Sequence, residues 1–232
     1  MASAGGKVDP DVLKQAPLFR GLDREATNAL VHSMSSIRLS RGAVLFHEGD
    51  SGNQLYIVVS GKLKLGRTGA TGRENLMEVL GPGQMFGELS VFDPGPRSTT
   101  ATAVTAAELR CLEHDDLVKW LKDYPQVAQS IMAQLARRLR HANDSVSDLV
   151  FSDVPGRVAK ALVDLSGRFG EQRAEGILVH HDLTQEELAQ LVGASRETVN
   201  KALADFAARG WIRLEPRSVT ILDMDRVSRR AR

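Results

Sequence analysis

Apolar positions along this 232-residue chain change their period three times. Between residues 9 and 35, Val12, Leu13, Leu18, Leu22, Ala26, Leu30 and Met34 recur mostly one helical turn apart, which predicts helix. From Ile37 to Leu112 the texture turns to short β-type runs broken by glycine. Val44-Leu45-Phe46 precedes Gly49 and Gly52, Leu55-Tyr56-Ile57-Val58-Val59 precedes Gly61, and Lys62-Leu63-Lys64-Leu65 precedes Gly69 and Gly72. Leu76 to Leu80 then leads into Gly81-Pro82-Gly83, and a Thr/Ala/Val run fills Ser98 to Leu112. Many short strands with regular glycine punctuation predict a β-barrel or jelly roll.

The helical period returns near His114. After Pro125, the residues Val127, Ile131, Leu135, Leu139, Ala142, Val146 and Leu149 form one stripe. From Leu135 its spacing is 4, 3, 4, 3, the heptad pattern of a two-chain seam. At 1.5 Å per residue the helix from Pro125 to Phe151 would run ~40 Å. A helix lying on the barrel would use similar positions; the narrow stripe, flanked by Arg137, Arg138, Arg140, Asn143, Asp144 and Asp148, favours the seam. Asp153-Val154-Pro155-Gly156 then joins a capping residue to a proline suited to a first helical turn. It reads as a hinge into a second, mainly helical domain, so the fold class is α+β.

Thr184 to Ala208 carries the densest local signal. Thr184-Gln185-Glu186-Glu187 is a capping box, in which Thr184 and Glu187 each satisfy a backbone amide at a helix start. Leu188, Ala189 and Leu191 follow, then Val192-Gly193-Ala194, then Ser195 as a fresh N-cap. Helix, glycine turn and helix make a helix-turn-helix. Advancing about 100° per residue along the second helix, Arg196, Glu197, Asn200 and Lys201 share an arc of about 140°, with Val199, Ala202, Leu203 and Phe206 opposite. The polar arc offers a guanidinium, a carboxylate, an amide and an ammonium, which suit base edges in the major groove of double-stranded DNA. Thr184, Gln185 and Ser195 would sit near phosphates. A solvated face laced with salt bridges explains most charged arcs. It does not explain a carboxylate, Glu197, beside Arg196 at the leading end of a helix that follows a helix and a glycine turn, so DNA reading is favoured. Gly210-Trp211-Ile212-Arg213-Leu214 and Ser218-Val219-Thr220-Ile221-Leu222, around Glu215-Pro216-Arg217, read as a two-stranded wing. Trp211 is expected in the core, and the terminal Arg226, Arg229, Arg230 and Arg232 as a frayed, solvated end.

Charge adds little to this picture. Lys plus Arg number 30 against 29 Asp plus Glu, a formal net charge of +1. From Pro155 onward there are 13 basic and 11 acidic residues, so any case for nucleic acid rests on placed side chains. One cysteine excludes an intrachain disulfide or a cysteine-rich metal site. No run approaches the ~20 apolar residues of a membrane helix, and Met1-Ala2-Ser3-Ala4-Gly5-Gly6-Lys7 lacks the apolar stretch of a signal peptide. A cytoplasmic protein is expected. His32, His47, His114, His141, His180 and His181 show no metal spacing, and His180-His181 fits a strand-to-loop junction. Cys111 in an apolar run reads as a buried small hydrophobe. The absence of nucleophile-elbow, P-loop and dinucleotide motifs argues against an enzyme.

In the β-rich region, Phe86-Gly87-Glu88-Leu89-Ser90 precedes Asp93-Pro94-Gly95-Pro96-Arg97-Ser98-Thr99. Glycine before a short helical turn can present backbone amides to an anion, and one Arg supplies a charge-assisted partner for phosphate. Glu88, acceptor-only when ionised, suits a ribose hydroxyl; in a 3′,5′-cyclic nucleotide the 2′-hydroxyl is the free one. A surface Glu–Arg pair on a Gly/Pro turn would look the same.

These segments, with Ala136-Arg137-Arg138-Leu139-Arg140, the hinge Asp153 to Ala159 and Leu191 to Lys201, resemble the cyclic-AMP receptor protein family of bacterial transcription regulators, within the superfamily that includes the fumarate–nitrate regulators. Phe92-Asp93-Pro94-Gly95-Pro96-Arg97 and Gly72-Arg73-Glu74-Asn75 look like its actinobacterial branch. The resemblance implies a cyclic-nucleotide-binding β jelly roll over 1–124, a long central dimerisation helix and hinge over 125–154, and a winged helix-turn-helix DNA-binding domain over 155–232. It implies a homodimer with cAMP as allosteric ligand and no metal, TGTGA-like half-sites, and RNA polymerase as a partner. By position, Gly87, Glu88, Leu89, Arg97 and Ser98, with Ser90 in the same segment, would bind the cyclic phosphate and ribose. Where the family sets a Thr and then a Ser or Asn against adenine, this chain has Ala142 and Asn143, and Ala142 can neither donate nor accept. Weaker cAMP dependence, or a vestigial site with constitutive DNA binding, is the corresponding alternative. The family often has Arg where Lys201 stands, which implies a monodentate contact. A nucleoid-like architectural DNA binder and an enzyme gated by a nucleotide module are the remaining rivals.

Overall fold

The computed structural model describes residue 13, residues 16–69, residue 72 and residues 74–231. Expectations resting on residues 1–7, Val12, Arg73 and Arg232 lie outside these. The chain forms two compact units, Met1–Arg67 with Val79–Arg140 and Thr68–Glu78 with His141–Arg232.

Eight strands build the first two sheets: β1 (Ser35–Leu39), β2 (Val44–Phe46), β3 (Gln54–Ser60), β4 (Leu63–Thr68), β5 (Glu74–Leu80), β6 (Met85–Phe86), β7 (Thr100–Ala103) and β8 (Ala107–Glu113). Their order is β1-β8-β3-β6 in one sheet and β2-β7-β4-β5 in the other, the double-sheet jelly roll expected from the glycine-punctuated runs. Side chains alternate faces along a strand. Tyr56 and Val58 of β3 therefore pack between the sheets with Phe46, Leu63, Leu80, Phe86 and Leu109. Leu55, Ile57 and Val59 point the other way, into a second cluster with Leu18, Phe19, Leu30, Met85, Leu112, Val127 and Ile131. Burial on both faces accounts for the unbroken apolar run Leu55 to Val59.

Helices supply that outer layer. The helical period of residues 9–35 resolves into a 3-10 turn, Pro17–Phe19, and α1 (Arg24–Ser33), which starts where Asp23 Oδ1 accepts from Ala26 N at 2.8 Å. α2 (Leu89–Phe92), α3 (His114–Asp123) and α4 (Pro125–Phe151) follow. The stripe of α4 is not continuous in its surroundings. Val127 and Ile131 are buried in the outer cluster, whereas Leu139, Val146, Leu149, Val150 and Phe151 are exposed, Phe151 at 83%. The first turns thus lie on the barrel, while the later turns, where the heptad spacing falls, keep most of their apolar side chains exposed.

The second unit contains α5 (Val154–Phe169), β9 (Gly170–Arg173), β10 (Gly176–Val179), α6 (Gln185–Val192), α7 (Arg196–Ala208), β11 (Ile212–Glu215), β12 (Ser218–Ile221) and α8 (Met224–Arg230). Asp153 caps α5, its Oδ1 accepting from Gly156 N at 2.9 Å. The sheet runs β11-β12-β10-β9, so the wing hairpin is extended by a second hairpin. Val158, Leu162, Leu165, Val179, Leu188, Val199, Leu203, Phe206 and Ile221 form the buried interior. Trp211 stacks on Phe206 at 5.3 Å, and His181 is buried after β10 with Nδ1 accepting from Leu183 N at 3.1 Å. The C-terminal arginines are not a frayed end. Val227 is fully buried and Arg230 Nη2 donates to both Asp153 oxygens at 2.7 and 2.6 Å, so α8 is tied to the start of α5. That Arg230 contact holds the Asp153 carboxyl below the usual range, helped by the Gly156 amide.

Candidate ligand pocket and nucleic-acid interface

The candidate ligand site of the first unit forms where β6 ends. Gly87 has φ +82°, and a Cβ there would lie 2.9 Å from both Arg97 Nη1 and Gln54 O, so conformation and space both demand glycine. Glu88 comes next, at the start of α2 and only 2% exposed. Its Oε1 accepts from Arg138 Nη1 of α4 at 2.5 Å, and Arg138 Nη2 donates to Met85 O at 2.9 Å. Glu88 Oε2 is buried with no hydrogen-bond partner.

Arg97 is 4% exposed. It donates from Nη1 to Gly87 O and from Nη2 to Gln54 O, both at 3.0 Å, and its guanidinium lies 4.4 Å from the Phe46 ring centroid and 5.5 Å from that of Tyr56. Gly52 makes room for it: a Cβ there would sit 2.1 Å from Arg97 Nε. That Nε is buried and unpaired, and among the described residues no carboxylate pairs with Arg97. The Glu88–Arg138 pair is neutral as a unit, so one buried positive charge remains. Burial is costly for such a charge and an anion would offset it. The site therefore holds a buried carboxylate oxygen and a buried guanidinium N–H without partners, the complements of a hydroxyl and of an anion.

Ser90 is buried, while Leu89 and Ser98 are exposed. Ala142 and Asn143 are exposed on the later turns of α4, in the second unit. Sequence reading gave no ligand-site role to Arg138, Gln134, Gln54 or Tyr56. Gln134 Nε2 donates to Met85 O at 3.3 Å, and Tyr56 OH donates to Gln54 Oε1 at 2.6 Å. Burial raises the Tyr56 hydroxyl, with Cys111 adding and Arg97 opposing. Burial likewise pushes the Cys111 thiol up to about 11, in keeping with a small core hydrophobe. Among the described residues no group of His, Cys, Asp and Glu could hold a metal ion.

In the second unit both arms of the capping box are made: Glu187 N donates to Thr184 Oγ1 at 3.1 Å and Thr184 N to Glu187 Oε2 at 2.8 Å. Gly193 ends α6 in the left-handed region at φ +70°, and Ser195 caps α7, accepting from Thr198 N at 3.2 Å. Val199, Ala202, Leu203 and Phe206 are buried. Arg196, Glu197 and Lys201 are exposed, as are Thr184, Gln185 and Ser195. Among the described residues Arg196, Glu197 and Lys201 form no ion pair or side-chain hydrogen bond, so a face laced with salt bridges does not explain this arc. Asn200 departs from expectation: it is half-buried and its Nδ2 donates to Gln185 Oε1 at 3.1 Å. Arg157 was also missed. It donates to Ser152 O at 2.8 Å, Val192 O at 3.0 Å and Gly193 O at 3.3 Å. At the wing tip Arg217 is exposed with φ +60°, an uncommon backbone state for a residue with a Cβ.

Residues 36–124 match the cyclic nucleotide-binding domain and residues 156–230 the Crp-like helix-turn-helix domain. The CRP-like cAMP-activated global transcriptional regulator of Mycobacterium tuberculosis is 52% identical over 222 residues, covering 96% of this chain and 99% of that protein. The cyclic AMP receptor protein of Thermus thermophilus is 38% identical over 209 residues, 90% of this chain and 94% of that one. Among solved structures, the c-di-GMP responsive global regulator CLP of Xanthomonas campestris has a TM-score of 0.74 at 26% identity, covering 86% of this chain and 99% of that one. No helix among the described residues is long and apolar enough to cross a membrane. A match to the cyclic nucleotide-binding domain, a helix-turn-helix with an unpaired charged face and likeness over nearly the whole length converge: the chain belongs to the cyclic-AMP receptor protein family of transcription regulators and binds DNA through its helix-turn-helix.

Proposed function

We propose that the chain is a cAMP-responsive regulator that binds TGTGA-type pseudo-palindromes as a homodimer. The observation that carries the ligand assignment is the buried Arg97 without a counter-ion beside Glu88 with one open oxygen. A 3′,5′-cyclic nucleotide brings one negative charge and one free hydroxyl donor, the two complements that Arg97 and Glu88 lack. Arg97, with the Gly87 to Ser90 segment and Ser98, would hold the phosphate, and Glu88 Oε2 the 2′-hydroxyl. The names of the Mycobacterium and Thermus relatives support cAMP among such nucleotides. Asn143 is the candidate for the base, and no metal is needed.

On the DNA side, Arg196 and Glu197 suit guanine and cytosine edges, Lys201 a guanine or phosphate, and Thr184, Gln185 and Ser195 the backbone. The exposed Leu139, Val146 and Leu149 of α4 support pairing of two chains along its later turns. Two-fold pairing would set recognition helices one DNA turn apart, about 34 Å. The ligand then acts by favouring the dimer geometry that fits that spacing. RNA polymerase as a partner and a cytoplasmic location follow from the same assignment.

Fluorescence anisotropy at one fixed salt tests it, with a TGTGA-palindrome duplex and a scrambled one, without ligand and with cAMP, cGMP or cyclic di-GMP. Preference for the palindrome that tightens with cAMP alone is expected. A specific complex indifferent to every nucleotide would overturn the cAMP assignment and favour the constitutive reading that Ala142 motivates.

A further inference from the structure

Asn200 lies in the arc that faces DNA, yet its amide is committed elsewhere. An Asn that reads adenine must present both its carbonyl and its NH2 to the base edge. Here Nδ2 donates to Gln185 Oε1 at 3.1 Å, and Oδ1 is shielded from solvent with no hydrogen-bond partner. Asn200 borders a cavity of about 330 Å³ whose walls include Leu183, Leu188, Leu203 and Val219. Gln185 is the first residue of α6, next to the Thr184 cap, and it is exposed. With its carbonyl held by Asn200, its NH2 is the end left over, and among the described residues that group has no partner.

We propose that Asn200 is a positioning residue for DNA binding: it fixes the Gln185 amide so that the NH2, and not the carbonyl, is offered to a backbone phosphate at the start of α6. This rests on the reading of α6 and α7 as the DNA-binding pair. Without the Asn200 bond the Gln185 side chain rotates freely, and half of its amide orientations turn an acceptor toward an anion. The contact is between a neutral donor and phosphate, so it adds affinity to any duplex and carries no sequence information.

The test uses the full-length protein with cAMP and compares Gln185→Ala, Asn200→Ala, Asn200→Asp and the Gln185→Ala/Asn200→Ala double variant. Binding is read by anisotropy on the TGTGA-palindrome duplex and on the scrambled duplex. Each alanine variant is expected to weaken both duplexes by a similar factor, about twofold to tenfold per half-site for one lost hydrogen bond. The double variant should be no weaker than Gln185→Ala alone. The slope of log affinity against log salt should stay unchanged, because a neutral amide displaces no counter-ion. Asn200→Asp should bind more weakly than Asn200→Ala, since a carboxylate accepts the Gln185 NH2 and turns its carbonyl outward. Gln185 is exposed, so its variant reads the contact even where a change at half-buried Asn200 lowers the melting temperature. Additive losses, or a loss of discrimination at one base pair in Asn200→Ala alone, would overturn the proposal and make Asn200 a base reader. A wild type with no preference for the palindrome would refute the TGTGA assignment, while coupling on the scrambled duplex still decides the role of Asn200.

Discussion

Replacing Arg97 by Leu separates anion binding from folding. The side chain is 4% exposed, gives two hydrogen bonds at 3.0 Å to Gly87 O and Gln54 O, and covers the Phe46 ring at 4.4 Å. Losing two charge-assisted hydrogen bonds removes about 1.5–3 kcal/mol each. Against that, a desolvated cation whose burial costs several kcal/mol disappears, and burying a leucine returns about 2 kcal/mol. The two sides nearly offset, so the variant barrel folds with stability within about 2 kcal/mol of the parent. Ligand linkage is different. At a hundredfold excess over Kd, a ligand stabilises the native state by about 2.7 kcal/mol, and about 2–4 °C accompanies each kcal/mol for a chain of this size. The wild type should therefore gain roughly 5–10 °C with cAMP. A guanidinium–phosphate contact worth about 3 kcal/mol weakens Kd by more than a hundredfold when lost, which erases that gain in Arg97→Leu at the same nucleotide concentration. Scanning calorimetry with and without cAMP reads both quantities. If Arg97→Leu melts near the wild-type temperature and still shows the full cAMP shift, the buried guanidinium is not the anion anchor.

Three further outcomes follow from the geometry. Gly52→Ala places a Cβ 2.1 Å from Arg97 Nε and should lower cAMP affinity in titration calorimetry without altering any group assigned to the ligand; unchanged affinity would show that Arg97 has another productive position. Val146→Glu sets a charge on the exposed stripe of α4 and should shift the protein from dimer to monomer by light scattering; a dimer of undiminished stability would place the interface elsewhere. Burial raises the Asp164 carboxyl, with Asp148 adding to the rise and His141, Lys160 and Arg168 opposing it. The folded state then holds that proton more tightly than the unfolded chain does, so the stability it confers is present below the ordinary aspartate pKa of about 4 and is lost as pH rises through the folded value. Asp164→Asn should melt higher than wild type at neutral pH, and identical melting curves from acid to neutral pH would contradict this.

What could be read in advance was local. The Thr184 to Glu187 capping box spans four residues, and the packed face of α7 follows from a helical period, so both were legible. Interactions across the fold were not. Glu88 meets Arg138 across 50 positions and Arg97 meets Gln54 O across 43, and no periodicity encodes such pairs. On the helical wheel Asn200 belongs to the DNA face, because a wheel cannot show Gln185, 15 residues earlier. The period of α4 describes a stripe without saying what covers it, so Val127 and Ile131 could turn to the barrel while Val146 and Leu149 stayed exposed. α8 and β9 lacked signal for a different reason. The only fully buried residue of α8 is Val227, and every residue of β9 is exposed. Elements that contribute so little apolar surface are held by neighbours and leave no pattern of their own.

Arg157 gathers the carbonyls of Ser152, Val192 and Gly193 onto one planar guanidinium. Those oxygens belong to chain segments 40 residues apart, one just past the long helix and the other at the bend between the two DNA-facing helices. Leu149 closes on the same bend, 3.2 Å from where a Cβ on Gly193 would lie. The joint therefore ties the chain just past the long helix directly to the bend, a link that bypasses the peptide between them. Since the grip is on main-chain oxygens, it depends on the backbone path at Ser152, Val192 and Gly193, the last held in the left-handed region, and on the guanidinium of Arg157.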